Sequence, residues 1–163
     1  MMNNLSSPPQ IGIAIAGLGF GESVHLPAIR SNPIFKPIGI WHPRKERLLE
    51  ASKKNEIDPY EDWSQLLENK DVSGVIIATP PEPRFKLAIE ALNANKHILL
   101  EKPAALNIFE INEIQRLALQ KRLSVAVNFE YRAVPLFMEA QKLIEKRIIG
   151  DPWLIRLDWL ISS

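Results

Sequence analysis

Two short stretches of this 163-residue chain carry residue types that could do chemistry. The first is Gly17-Leu18-Gly19-Phe20-Gly21, directly after the apolar run Ile11-Gly12-Ile13-Ala14-Ile15-Ala16. Glycine accepts the tight turn by which a strand enters a helix, and a residue without a side chain lets the backbone close on an anion at the helix N-terminus. Gly17 is therefore expected to permit the turn, and Gly19, followed by Phe20, to admit the pyrophosphate of a dinucleotide. The alternative is a strand–helix turn that needs glycine only for its backbone angles. The second stretch is Glu101-Lys102-Pro103, after the apolar run His97-Ile98-Leu99-Leu100. By itself a Glu-Lys pair at a strand end reads as a solvated ion pair.

Two details bear on the glycine turn. The third glycine-or-alanine position of such fingerprints is Glu22. Its carboxylate suits an empty helix N-terminus but repels a pyrophosphate placed there, and Gly21 is the neighbour that offers slack for close packing. The end of the second apolar stretch reads Trp41-His42-Pro43-Arg44-Lys45, where a ribose-binding carboxylate would stand in an NAD site. A histidine and two cations there, His42 and Arg44 foremost, suit a 2′-phosphate, so NADP is favoured over NAD. The competing reading makes Arg44, Lys45 and Arg47 a solvated helix face.

The elements that must position these residues follow from apolar periodicity. Strands are predicted at 11–16, 38–41, 75–78, 97–100 and 125–127. Helices are predicted at about 23–30, 44–54, a short stretch after Asp62, the segment bearing Leu87, Ala88, Ala91 and Leu92, a long helix capped by Asn107, and 134–147. Thr79-Pro80-Pro81 reads as a turn. Asp62 with Gln65, and Asn107 with Glu110, fit capping boxes. Strands apolar on both faces, alternating with helices, mean a doubly wound parallel α/β sheet of Rossmann type. Residues 1–10 read as a disordered leader and 11–130 as the dinucleotide-binding domain. Residues 131–163 read as a linking helix and the first strand of a second, largely absent α+β domain. That strand rests on the alternation Trp153, Ile155, Leu157, Trp159, Ile161. A fold-back onto the existing sheet is the other reading.

Composition narrows the classes. Apolar residues at 46% and charged residues at 24% supply an ordinary core, and a net charge of +1 calls for neither nucleic acid nor a membrane surface. The absence of cysteine excludes disulfides, thiolate metal sites and cysteine nucleophiles, and no metal site is expected. The first apolar run is too short to span a bilayer and lacks a basic leader, so a cytoplasmic protein is expected.

The order Gly17-Leu18-Gly19-Phe20, His25-Leu26-Pro27-Ala28, Ala78-Thr79-Pro80, Ala91-Leu92, Lys96-His97, Glu101-Lys102-Pro103, Asn128 and Tyr131-Arg132 resembles the glucose–fructose oxidoreductase / inositol dehydrogenase family (Gfo/Idh/MocA) from Ile11 onward. The resemblance implies hydride transfer between a nicotinamide cofactor and a sugar, polyol or related carbonyl compound. Thr79 and Pro80 would lie along the cofactor. Lys102 would stand beside the nicotinamide and the reacting oxygen, as a cation stabilising oxyanion charge or, with a depressed pKa, as the base. Glu101 would orient the turn or contact the cofactor. Pro81 and Arg84 stand where the family usually has an asparagine and a histidine. The family's aspartate and histidine on the substrate domain are expected beyond residue 163. Three readings remain: an oxidoreductase, a catalytically inactive nucleotide-binding protein, or a subunit or sensor whose missing sheet comes from a complementing chain. The partners expected are a small-molecule substrate and either a homo-oligomer or such a complementing chain.

Overall fold

The structure, a computed structural model, describes residues 9–158 and residue 160. They divide into two compact units, one ending at Asn128 and one starting at Phe129. In the first unit, β1 (Ile11–Ala16), β2 (Phe35–Trp41), β3 (Pro59–Tyr60), β4 (Gly74–Ile77), β5 (His97–Leu100) and β6 (Val125–Val127) form one sheet in the order β3-β2-β1-β4-β5-β6. Every pairing is parallel. The connections carry α1 (Leu26–Ser31), α2 (Lys45–Asn55), α3 (Trp63–Glu68), α4 (Pro81–Asn93) and α5 (Ile108–Lys121). This is the doubly wound sheet that the alternation of elements requires.

The apolar runs are continuous because helices cover the inner strands on both sides. Ala14, Ala16, Val75 and Ile77 pack with Leu87, Ala91, Leu92 and Ile114 of α4 and α5. Their neighbours Ile15 and Ile76 point the other way, into Leu26, Ile29, Leu48 and Ala51 of α1 and α2. Period-two alternation thus survives in which cluster a residue joins, even though both faces are apolar.

Several boundaries differ from the sequence reading. Strand β2 starts at Phe35 and runs through Pro37, and the β1–β2 register shifts there, so that Ile13 faces Pro37 while Ala14 faces Gly39. The shift absorbs a residue that cannot donate to the ladder. Strand β3, a two-residue pairing, is too short to show a period. Before α1 lies a π-helical turn, Gly21–His25, ending two residues ahead of Pro27, whose ring and missing N–H disfavour regular helix behind it. Helix α4 begins at Pro81, within the stretch read as a turn, because proline is compatible with a first helical turn. Asp62 caps α3 by accepting from the Ser64 amide at 2.8 Å, rather than through a box with Gln65. Asn107 accepts from the Glu110 amide at 3.0 Å, and the Glu110 carboxylate reaches back one residue further than a standard box, to the Leu106 amide at 2.9 Å.

The second unit holds a short 3₁₀ turn, Glu130–Ala133, and α6 (Pro135–Glu145), with the rings of Tyr131 and Phe137 edge to face at 6.0 Å. The strand expected from Trp153 onward does not form over residues 153–158. A strand exists only as part of a ladder that pairs its N–H and C=O groups, and no described residue pairs with these. Trp159 and Ile161 lie outside the described residues, as do residues 1–8 of the predicted leader.

Candidate functional site

Strand order reverses between β1, whose chain continues to β2, and β4, from which the chain moves the opposite way. Such a switch leaves a crevice beyond the carboxyl ends of the two strands. Gly17 follows β1 at φ +98°, and a Cβ there would lie 2.7 Å from the Ala78 carbonyl atoms just after β4. Its amide donates to the Trp41 carbonyl at 3.0 Å, closing the turn over the end of β2. Gly21 is needed for a different reason. A Cβ on it would stand 2.7 Å from Ile15 Cγ2, so this residue provides the helix–strand closeness that Glu22 in the third fingerprint position does not. Gly19 has neither requirement: its φ lies outside the left-handed region, and a Cβ would meet nothing within 4 Å. The fold does not demand glycine at position 19. What its absent side chain leaves open is access to the backbone.

The crevice is a cavity of ≈ 520 Å³, within the range of small-molecule sites. Gly17, Gly19, His42, Arg44, Thr79 and Pro80 all line it, together with Trp41, Pro43, Arg47 and Pro83. His42 Nδ1 accepts the Arg44 amide at 3.1 Å, which fixes the imidazole at the head of α2. Trp41 rests against Trp63 with ring centroids 5.3 Å apart. Thr79 is 5% exposed, and its Oγ1 has no partner among the described residues. A buried hydroxyl without a partner on a cavity wall, an open glycine and a cationic rim together fit the phosphates of a dinucleotide.

Phe20, Glu101 and Lys102 do not line this cavity; they gather beside it around a buried carboxylate. Glu101 Oε1 is 2.8 Å from His25 Nε2 and accepts from Asn128 Nδ2 at 2.7 Å. Its Oε2 accepts the Lys102 amide at 3.2 Å. The Phe20 and His25 rings lie edge to face with centroids 5.6 Å apart. The guanidinium of Arg84, 3% exposed, donates to the carbonyls of Glu101 (2.7 Å), Pro103 and Thr79. One side chain therefore ties the Glu101-Lys102-Pro103 turn, which contains a cis Lys102–Pro103 bond, to the Thr79 turn on the cavity wall. Lys102 itself is exposed. By spacing alone His25 belongs to the predicted first helix, and Arg84 stands out only as a departure from the family's pattern. His25 and Glu101 lie 76 residues apart, so no local spacing signals their contact.

Burial pushes the Glu101 carboxyl up, but the bonds from Asn128, His25 and the Lys102 amide outweigh it and hold the group below the usual carboxylate range. A carboxylate lowered in the folded state stabilises the fold fully above its unfolded pKa, and this is lost as pH falls through the folded value. Glu101→Gln is accordingly expected to flatten the acid limb of a plot of thermal midpoint against pH. An unchanged acid limb would mean that other carboxylates control it.

A doubly wound parallel sheet with a glycine turn at its switch point defines the first unit as a Rossmann-type domain. Comparison with known proteins makes this specific. The family model described as "Oxidoreductase family, NAD-binding Rossmann fold" (GFO_IDH_MocA) matches residues 11–129. The chain belongs to that family. It is 36% identical to the uncharacterized oxidoreductase sll0816 of Synechocystis sp. over 160 residues, 98% of this chain and 43% of the relative. It is 30% identical to levoglucosan dehydrogenase of Pseudarthrobacter phenanthrenivorans, over 86% of this chain and 38% of that protein. Among solved structures, scyllo-inositol dehydrogenase of Lactobacillus casei with bound NAD(H) and scyllo-inositol superposes with a TM-score of 0.79 at 27% identity, covering 88% of this chain and 43% of that one. The chain thus spans less than half the length of these relatives. Among the described residues no helix is long and apolar enough to cross a membrane.

Proposed function

We propose that this chain binds a nicotinamide dinucleotide, NADP in preference to NAD, and serves hydride transfer to or from a sugar, polyol or related carbonyl compound. The observation that carries the reading is the cavity at the β1/β4 switch point, where Gly19 is left open and His42, Arg44 and Arg47 are the only charged or ionisable lining among the described residues. The Gly17–Gly19 backbone would receive the pyrophosphate, Thr79 and Pro80 would flank the cofactor, and Arg44 with His42 would meet a 2′-phosphate. The sugar-dehydrogenase and inositol-dehydrogenase relatives support the substrate class.

The nicotinamide ring, when bound, supplies the hydride exchange. The chain's own residues hold and move the proton that accompanies it. Lys102 is the residue for that role: its ammonium stabilises charge growing on the substrate oxygen, or, deprotonated, takes the hydroxyl proton. Glu101 orients the turn, since both its oxygens are already engaged by His25, Asn128 and the Lys102 amide.

Arg44→Ala is the test of the cofactor preference. It is expected to weaken NADPH binding about tenfold and NADH binding less than twofold, the loss of one charged hydrogen bond to phosphate. Equal effects on both would refute the phosphate assignment. In a protein that also carries the substrate domain, Lys102→Ala is expected to abolish sugar- or polyol-dependent reduction of NADP while leaving NADPH affinity within about twofold, because its role lies in the reacting state. Loss of affinity with turnover intact would remove Lys102 from the chemistry.

A further inference from the structure

Glu22 occupies the position of the fingerprint where a negative charge most disfavours a phosphate, yet its side chain is engaged elsewhere. Its Oε1 accepts from Lys54 Nζ at 2.8 Å and from Asn55 Nδ2 at 3.0 Å, both at the C-terminal end of α2. Asn55 is itself fixed by donating to the Ala51 carbonyl at 2.8 Å. The Glu22 carboxyl is held below the usual carboxylate range, first by the Lys54 bond and then by Asn55, so it is ionised and needs a countercharge.

The place where this pair sits adjoins the cofactor cavity. Glu22, Lys54, Glu50 and Ala51 line a smaller recess of ≈ 200 Å³, and Leu18 and Arg47 line both that recess and the larger cavity. Arg47 is exposed and makes no side-chain hydrogen bond or ion pair among the described residues. Lys54 and Arg47 are the two cations that act on Glu22. Glu22 therefore has two cations within its field, and one of them also faces the site where a phosphate is expected.

We infer that Lys54 is a positioning residue of the cofactor site: by engaging Glu22 at the far end of α2, it leaves Arg47 available to a cofactor phosphate. Without Lys54, the Glu22 carboxylate has only Arg47 as countercharge, and the guanidinium is drawn out of the cavity toward it. The arrangement explains how a domain of this type keeps a glutamate at the third fingerprint position. It also makes Arg47 a phosphate ligand in addition to Arg44. A guanidinium suits that part because it stays charged and presents paired donors to phosphate oxygens.

The inference rests on the reading of the cavity as a NADP site, and a double-mutant cycle separates the two. NADPH is titrated at low ionic strength, where exposed charges are least screened, into the full chain and into Lys54→Ala, Glu22→Gln, Arg47→Ala and the pairs containing Lys54→Ala. Lys54→Ala is expected to weaken binding about fivefold, the upper end for an exposed pair. Glu22→Gln alone is expected to bind no more weakly than the parent. In either the Glu22→Gln or the Arg47→Ala background, Lys54→Ala is expected to change affinity by less than about 1.5-fold. The thermal midpoints should stay together throughout, since Lys54 and Arg47 are both exposed.

An equal loss in all three backgrounds would show Lys54 acting only as a distant cation, and no loss in any would show it has no part; either overturns the inference while the NADP reading stands. Coupling through Glu22 but not Arg47 would overturn the role given to Arg47. A parent chain that binds no NADPH would overturn the NADP reading, and the inference with it.

Discussion

Arg84→Ala is expected to lower the thermal midpoint of the chain by roughly 10 °C. Three backbone carbonyls, those of Thr79, Glu101 and Pro103, accept from this one guanidinium, which is 3% exposed. Removing it leaves the buried acceptors on Thr79 and Glu101 unpaired. Hydrogen bonds to a charged group contribute about 1.5–3 kcal/mol each net, and an unpaired buried acceptor costs about 1–3 kcal/mol. Relaxation and water entry reduce the sum to about 3 kcal/mol, and each kcal/mol moves the midpoint by about 2–4 °C in a chain of this size. Arg84→Lys is expected to recover only part of the loss, because an ammonium lacks the planar fork that reaches carbonyls from two separate turns. A shift below about 2 °C for Arg84→Ala would mean that other contacts hold the two turns together. Burial lowers the guanidinium's proton affinity, against the opposing charges of Glu101 and Glu82.

The second large effect separates two glycines that look equivalent in sequence. Gly17 is required by the fold, since its φ of +98° and the Ala78 carbonyl both exclude a side chain. Gly19 is required by neither, so Gly19→Val should leave the thermal midpoint within about 2 °C. The same substitution places a branched side chain between the backbone and the expected pyrophosphate. The loss of about 3 kcal/mol of charge-assisted bonding corresponds to a weakening of NADPH binding on the order of 100-fold. Stability unchanged with affinity lost would identify Gly19 as a glycine kept for a ligand. A fall in stability with no change in affinity would make it a structural glycine, as the simpler reading of the turn holds.

The architecture was legible because its signals are local. Apolar runs of four to six residues at 11–16, 75–78 and 97–100, separated by helical periods, give the strands and the doubly wound class directly. The glycine turn and the Trp41-His42-Pro43-Arg44 stretch were legible for the same reason, and the structure brings them to one cavity. What escaped was decided by contacts between distant segments. The partners of the Glu101 carboxylate come from the turn before α1 and from the end of β6, and Arg84 bonds forward to the turn after β5. Nothing in the residues near Glu101 names them. Glu22 was legible as an anomaly but not in its resolution, because Lys54 and Asn55 reach it from the far end of α2. The alternation from Trp153 onward shows the opposite limit. A period of two states which face a strand would bury, and pairing still depends on a neighbour that residues 153–158 do not have among the described residues.

Whether the crevice beside Gly19 holds a nicotinamide dinucleotide decides the proposed function. Calorimetric titration of NADPH and NADH into the chain and into Gly19→Val tests this most directly. One saturable site per chain is expected, tighter for NADPH than for NADH and weakened on the order of 100-fold in Gly19→Val. No saturable binding of either nucleotide to the parent chain, or equal binding to the parent and to Gly19→Val, would contradict it.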